Sequence, residues 1–151
     1  MIKKSYEKYV LPKLLDCCCS TKPITYQRKK VVPNAHGNIL EIGIGSGLNL
    51  PYYEKSKINK FYGLDPSGEL CDMAEKTASE NDIDISLIVN GAEEIKLPQD
   101  TIDTVVITYT LCTIPNPIGA LKEVKRVMKT DAKILFCEHG IAPDKNVIKW
   151  Q

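Results

Sequence analysis

Residues 38–47 read NILEIGIGSG, an apolar run that passes directly into three alternating glycines, Gly43, Gly45 and Gly47. Such a run predicts a strand ending in a tight loop, where missing side chains let a ligand approach the backbone. The loop is preceded by a carboxylate, Glu41, which a phosphate-binding loop should avoid. Working outward, further apolar runs follow at 60–65, 85–90, 104–109 and 132–139. With 38–44 they make five predicted strands. Helical spacing fills the gaps at 49–55, 69–81 and 118–129. In the last of these, Leu121, Val124, Val127 and Met128 form an apolar stripe, and Lys122, Glu123, Lys125 and Arg126 face out.

Strands alternating with amphipathic helices predict an α/β fold, a doubly wound, Rossmann-like, mostly parallel sheet with helices on both faces. The ligand crevice of such a sheet lies at the carboxyl ends of its strands, near the point where strand order reverses. Every polar signature described below falls at such an end.

The chain has 151 residues, enough for one domain, with 43% hydrophobic and 26% charged residues. Twenty basic against nineteen acidic residues give a net charge of +1. That leaves no global field to draw nucleic acid or an anionic membrane, and neither is expected as a partner. No apolar run approaches the ~20 residues of a membrane span, so no stable membrane insertion is expected. Residues 1–20 lack the continuous apolar region and cleavage site of a signal peptide, and the expected location is cytoplasmic.

Ile2, Tyr6, Tyr9, Val10, Leu14 and Leu15 recur at near-helical spacing. Residues 1–27 therefore read as a helical segment that packs on the domain or covers its site. The stretch YQRKKVVPNAHG at 26–37 reads as a basic connector, and residues 28–151 as the ligand-binding domain. Six cysteines are present. Cys17, Cys18 and Cys19 are adjacent, poor spacing for a disulfide framework or a zinc site, and no metal is expected. Cys71, Cys112 and Cys137 read as small apolar filler.

The charge beside the glycines discriminates between ligands. A dinucleotide rests its pyrophosphate at the helix N-terminus that follows such a loop. A carboxylate about 4 Å from a phosphate charge would cost about 4 kcal/mol at an effective dielectric of about 20. S-adenosylmethionine carries an ammonium and a sulfonium and no phosphate, so Glu41 favours it over NAD. In GLDPS, at 63–67, Asp65 ends the second strand with the geometry to accept two ribose hydroxyls. Capping of the next helix by Asp65 or Ser67 is the plain alternative. In NGAEEIKLP, at 90–98, Gly91, Ala92 and Glu93 are placed to border an adenine ring. A surface loop is the alternative there.

Taken together, these residues resemble class I S-adenosylmethionine-dependent methyltransferases. LEIGIGSGLN (40–49), GLDPS, NGAEEIKLPQDTIDTVVITYTL (90–111) and PIGALKEVKRVMKTDAKILFCEH (117–139) follow one another in the family's order. IGSGLNLPYY, TYTLCTI and CEHG look most like the branch that holds methyltransferase-like 7 thiol methyltransferases and ubiquinone/menaquinone-type enzymes. The resemblance implies S-adenosylmethionine as cofactor, S-adenosylhomocysteine as product, and a small-molecule acceptor such as a thiol, phenol or quinol. It implies Glu41, Gly43, Gly45, Ser46, Gly47 and Asn49 around the methionine moiety. Asp65, Pro66 and Ser67 would hold the ribose, Gly91, Ala92 and Glu93 the adenine, and Thr108 would lie near the sulfonium.

Two departures stand out. Many relatives have an aspartate where Gly91 stands. The usual seven strands also exceed the five that can be placed, so the chain is expected to lack the last ones. The fifth strand would then offer an open edge, with self-association as one consequence. A catalytically incomplete binding module is the alternative reading. Methyl transfer is an in-line displacement that relies mainly on proximity, and it needs a base only for an acceptor of high pKa. Tyr109, Glu138 and His139 lie at the ends of strands four and five. His139 and Tyr109 are the catalytic candidates, His139 by its ordinary pKa. Cys112 reads as packing, and His36 has no evident partner.

Overall fold

Alternating apolar side chains along parallel strands give a sheet two buried faces, and the computed structural model shows both. It describes residues 21–140 together with residues 144, 146 and 149. The helix expected near the N-terminus and the cysteine triplet fall outside the described residues. The elements are α1 (Lys22–Val31), β1 (Gly37–Ile42), β2 (Ile58–Asp65), α2 (Gly68–Glu80), β3 (Ser86–Val89), β4 (Ile102–Thr108), α3 (Pro117–Val127) and β5 (Met128–Cys137).

The five strands are all parallel, in the order β3-β2-β1-β4-β5. The chain builds outward from β1 to β3, then returns to lay β4 on the other side of β1. That reversal opens a crevice between the loops after β1 and β4. Ile39, Phe61 and Val106 pack on one face with Ala74 and Ala78 of α2. Leu40, Ile42, Leu64, Val105 and Ile107 pack on the other with Ala120, Val124 and Val127 of α3.

Local signals set the helix limits. Ser67 caps α2 by accepting from the Leu70 amide at 3.2 Å. Asn116 caps α3 by accepting from the Gly119 amide at 3.0 Å. Both leave fewer orphan donors in the first turn. Pro23 lies in the first turn of α1, and Arg28, Lys29 and Lys30 in its last, where cations suit the helix dipole.

Three expectations need correction. The first part of the basic connector, residues 26–31, belongs to helix α1, which crosses the expected boundary between residues 27 and 28. The helix expected at 49–55 is two 3-10 turns, Leu50–Tyr52 and Lys55–Lys57. Pro51 interrupts that stretch, and both Asn49 and Tyr53 turn inward toward Glu41. On α3, Ala120 is buried and Leu121 is 41% exposed. Glu123 does not face solvent freely, for it accepts from the Ile95 amide and pairs with Arg126.

Among the described residues, β5 is an edge strand of the sheet. Ile134 and Phe136 pair in register with Val105 and Ile107, so they share the α3 face of the sheet. They are 41% and 65% exposed.

Candidate active site

At the carboxyl ends of β1, β2, β3 and β4 lies a cavity of about 530 Å³. Gly43, Gly45, Ser46, Asp65, Pro66, Ser67, Gly91, Ala92, Glu93, Thr108 and Tyr109 line it, so eleven of the residues expected from the sequence meet around one space. Glu41, Gly47, Asn49 and His139 are not in its lining.

The three glycines serve different needs. All have positive φ, between 57° and 84°. A side chain on Gly43 would run into that of Thr110, so here the backbone passes a neighbouring residue closely. Gly45 has nothing within 4 Å of the position a side chain would take, which leaves its backbone open to the cavity. A side chain on Gly47 would meet Leu50, Thr77 and Ala74, so Gly47 lets the loop pack onto α2.

The loop is stitched to β2. The Gly43 and Ile44 amides both donate to the Leu64 carbonyl, at 2.8 and 3.1 Å. The Gly45 amide donates to one Asp65 carboxylate oxygen at 3.1 Å, and the Ser67 amide to the other at 2.9 Å. Asp65 is thus fixed between two loops, 7% exposed, with spare lone pairs on both oxygens. Burial raises its pKa, and the two amides offset only part of that rise.

Glu41 is placed differently from the sequence reading. It is 1% exposed and lies beneath the loop. Asn49 donates to one of its oxygens at 2.8 Å and the Tyr53 hydroxyl to the other at 2.7 Å. Burial pushes its pKa up to about 7 against the pull of those two donors and of Arg28. Since it does not meet the cavity, the charge argument against a diphosphate does not rest on Glu41.

A cation that the sequence reading missed stands on the lining instead. Arg28, on α1, is 6% exposed. Its Nη1 donates to Asn49 Oδ1 at 2.6 Å and to Thr108 Oγ1 at 3.0 Å. Asn49 Nδ2 also donates to Thr108 Oγ1, at 3.0 Å. Asn49 is therefore the hub of a buried chain from Arg28 to Glu41 and Tyr53. The signal that could have revealed Arg28 was proline at the start of a stretch with helical spacing, which three adjacent cations masked.

Tyr109 has φ of 55°, unusual for a residue with a side chain. Its ring lies under the Arg28 guanidinium at 5.3 Å and beside the His139 ring at 4.8 Å. The Cys137 thiol donates to its hydroxyl at 3.2 Å. Burial, with Cys137 next in weight, raises the phenol to about 12. Tyr109 is then neutral near pH 7 and suited to orienting a group, not to removing a proton. Glu138 accepts from the Thr110 and Leu111 amides at 2.9 and 3.2 Å, closing the turn after β4. Of the cysteines read as filler, Cys71 is buried, Cys112 is exposed and Cys137 is half-buried.

At the adenine-side loop, a side chain on Gly91 would begin 2.8 Å from a Glu93 carboxylate oxygen. Glu93 thus occupies the space beside Gly91, and its other oxygen accepts from the Asn116 amide at 3.1 Å. Among the described residues, no group of His, Cys, Asp and Glu side chains is placed to hold a metal ion, and no helix is long and apolar enough to cross a membrane.

Known proteins share this framework. The chain is 28% identical over 149 residues to the human thiol S-methyltransferase TMT1B, covering 93% of this chain and 60% of that protein. It is 32% identical over 117 residues to the ubiquinone/menaquinone biosynthesis C-methyltransferase UbiE of Rickettsia bellii, covering 71% of this chain and 46% of that one. The crystal structure of the YcgJ protein from Bacillus subtilis superposes with a TM-score of 0.67 at 25% identity, over 82% of this chain and 52% of that chain. The chain thus spans between 46% and 60% of the length of these proteins. The methyltransferase domain family model matches residues 40–136, well over half of the chain. The chain belongs to the methyltransferase domain family, of the class I S-adenosylmethionine-dependent kind whose motifs it carries.

Proposed function

We propose that the chain binds S-adenosylmethionine across the carboxyl ends of its strands and transfers the sulfonium methyl to a small-molecule acceptor, a thiol, phenol or quinol. The observation that carries this reading is the meeting of the open Gly45 backbone, the fixed Asp65 carboxylate and the Gly91–Glu93 loop around one cavity. When bound, S-adenosylmethionine supplies an electrophilic methyl group on a positively charged sulfur.

In this reading Asp65 accepts the ribose hydroxyls, steadied by the Gly45 and Ser67 amides and flanked by Pro66. Ala92 and Glu93 flank the adenine, with Gly91 giving up its side chain to Glu93. Gly43, Gly45 and Ser46 follow the amino-acid end. Gly47, Asn49 and Glu41 act from behind the loop by holding its shape. Thr108 stands toward the sulfonium. Tyr109 orients the reacting groups as a neutral phenol, and His139, packed on its ring, positions it. The chain's task is mainly alignment, which suits an acceptor such as a thiol that ionises readily.

In this proposal α1 belongs with the cofactor-binding domain, since Arg28 on it stands on the cavity lining. A cytoplasmic location belongs to the same proposal, to be checked by cell fractionation. So does pairing of two copies through the β5 edge, to be checked by light scattering.

Thermal-shift titration tests the cofactor. S-adenosylhomocysteine at about a hundred times its Kd should stabilise the fold by ~2.7 kcal/mol, and NADH should give no shift. Equal shifts would defeat the reading. A second reading draws on the chain's span of about half of its relatives, with 46% of the Rickettsia protein covered. It is a binding module that holds the cofactor without turnover. Tight cofactor binding with no product from a panel of thiols, phenols and quinols would favour it.

A further inference from the structure

The net charge of +1 hides an uneven division along the chain. Residues 1–30 hold eight basic and two acidic residues, a net charge of +6. Residues 31–151 hold twelve and seventeen, a net charge of −5. Asymmetry of this kind marks a basic region for an anionic partner, which an even +1 would not. The described part of that region is α1. Lys22, Tyr26, Lys29 and Lys30 share one face of the helix by their spacing, and all four are exposed. Arg28, on the opposite side, is buried on the cavity lining. Among the described residues no carboxylate pairs with Lys22, Lys29 or Lys30, whereas Lys55, Lys57 and Lys129 each have one.

Aromatic rings are interleaved with these cations. The Lys30 ammonium lies 4.2 Å from the centroid of the Tyr26 ring, which is 60% exposed, and the Lys29 ammonium 5.7 Å from that of Tyr52. Lys57 donates to the Pro33 carbonyl just past α1 and pairs with Glu54 at 2.8 Å. A nucleic-acid surface would call for forked arginines, and the one arginine of α1 faces inward. Lysine and tyrosine instead suit a bilayer surface, where a point charge meets headgroup phosphates and an amphipathic ring sits at their level. The sequence before α1 has the same character, with the apolar spacing from Ile2 to Leu15 interrupted by lysines at 3, 4, 8 and 13. We propose that the lysine face of α1 docks the chain on an anionic lipid surface, peripherally and without insertion. Charges beyond about 10 Å are screened at an ionic strength of about 0.1 M, so the acidic remainder of the chain does not cancel the attraction at that face. This proposal stands apart from the cofactor reading.

Flotation of the whole chain with lipid vesicles tests it. Vesicles of phosphatidylcholine with about one-third phosphatidylserine should carry the chain, and vesicles of phosphatidylcholine alone should not. Raising the salt from about 0.1 M to about 0.5 M should release it. Lys22→Gln, Lys29→Gln and Lys30→Gln made together should weaken binding about a hundredfold, about fivefold for each cation lost. The matched set Lys122→Gln, Lys125→Gln and Lys133→Gln, at exposed positions of α3 and β5, should leave it within about twofold. Both triple variants should keep the circular dichroism of the parent. Equal binding of the unaltered chain to the two kinds of vesicle, or binding to neither, would overturn the proposal without any variant having to fold. So would equal losses in the two triple variants. Tighter binding to polyuridylate RNA than to the anionic vesicles, at equal concentrations of negative charge, would also overturn it and assign the face to nucleic acid.

Discussion

Replacing Glu41 with glutamine should flatten the dependence of stability on pH. The carboxyl group is fully enclosed, and burial raises its pKa from 4.5 to about 7. Between those values the folded chain keeps a proton that the unfolded chain has released. Stability is therefore highest at the acid end of that window and falls as pH rises, the loss being complete above about pH 7. At about 1.4 kcal/mol per pH unit across the window, the total is about 3 kcal/mol. Glutamine has the same shape. Its carbonyl can accept from Asn49, and its amide can donate to the Tyr53 oxygen once that hydroxyl turns.

Urea denaturation followed by circular dichroism between about pH 5 and pH 8 would supply the two stability curves. Asp65 and the other titrating groups are common to both proteins, so they cancel in the difference. The glutamine variant should be as stable as the parent near pH 5 and more stable by about 3 kcal/mol near pH 8. Parallel curves would refute the reasoning, for they would mean that the Glu41 proton is not held by the fold.

Three further outcomes follow from the same geometry. Gly43→Ala should destabilise the chain by about 1–3 kcal/mol and impair S-adenosylhomocysteine binding, because both its φ and the Thr110 side chain oppose a methyl group. Gly45→Ala meets no neighbour and should lower the melting temperature less, so equal shifts would count against the distinction. Asp65→Asn should weaken adenosine-containing ligands about tenfold in calorimetry, since it forfeits one charged acceptor and one of its two amide bonds. Arg126→Ala should cost about 1–2 kcal/mol by freeing the Ile95 and Leu97 carbonyls that Arg126 holds, with faster amide exchange across 91–98 as the local signature.

The strands were legible because each is a short apolar run ended by a polar or glycine-rich turn, and tertiary packing had no reason to override that pattern. Gly43, Gly45, Asp65 and Gly91–Glu93 were legible for a related reason, since in a parallel sheet their place at strand ends follows from the strands themselves. Glu41 was misread. Its sequence position puts it next to the glycines, but alternation along β1 turns its side chain away from the cavity and toward Asn49 and Tyr53. Arg28 was invisible for the opposite reason. Among Lys29 and Lys30 it looks like one more solvated cation, and only folding separates a residue 6% exposed from neighbours that remain in water. His139 looked like the best base because free imidazole titrates near neutrality, yet the fold leaves it on the outer side of Tyr109.

Among the described residues, the cavity lining falls between Arg28 and Pro115, with α3 and β5 outside it. Such a layout behaves like a tool holder with an interchangeable bit. The half that carries the cavity could be grafted ahead of a foreign downstream half without retuning. Chimeras spliced just after Pro115 would be the natural place to begin.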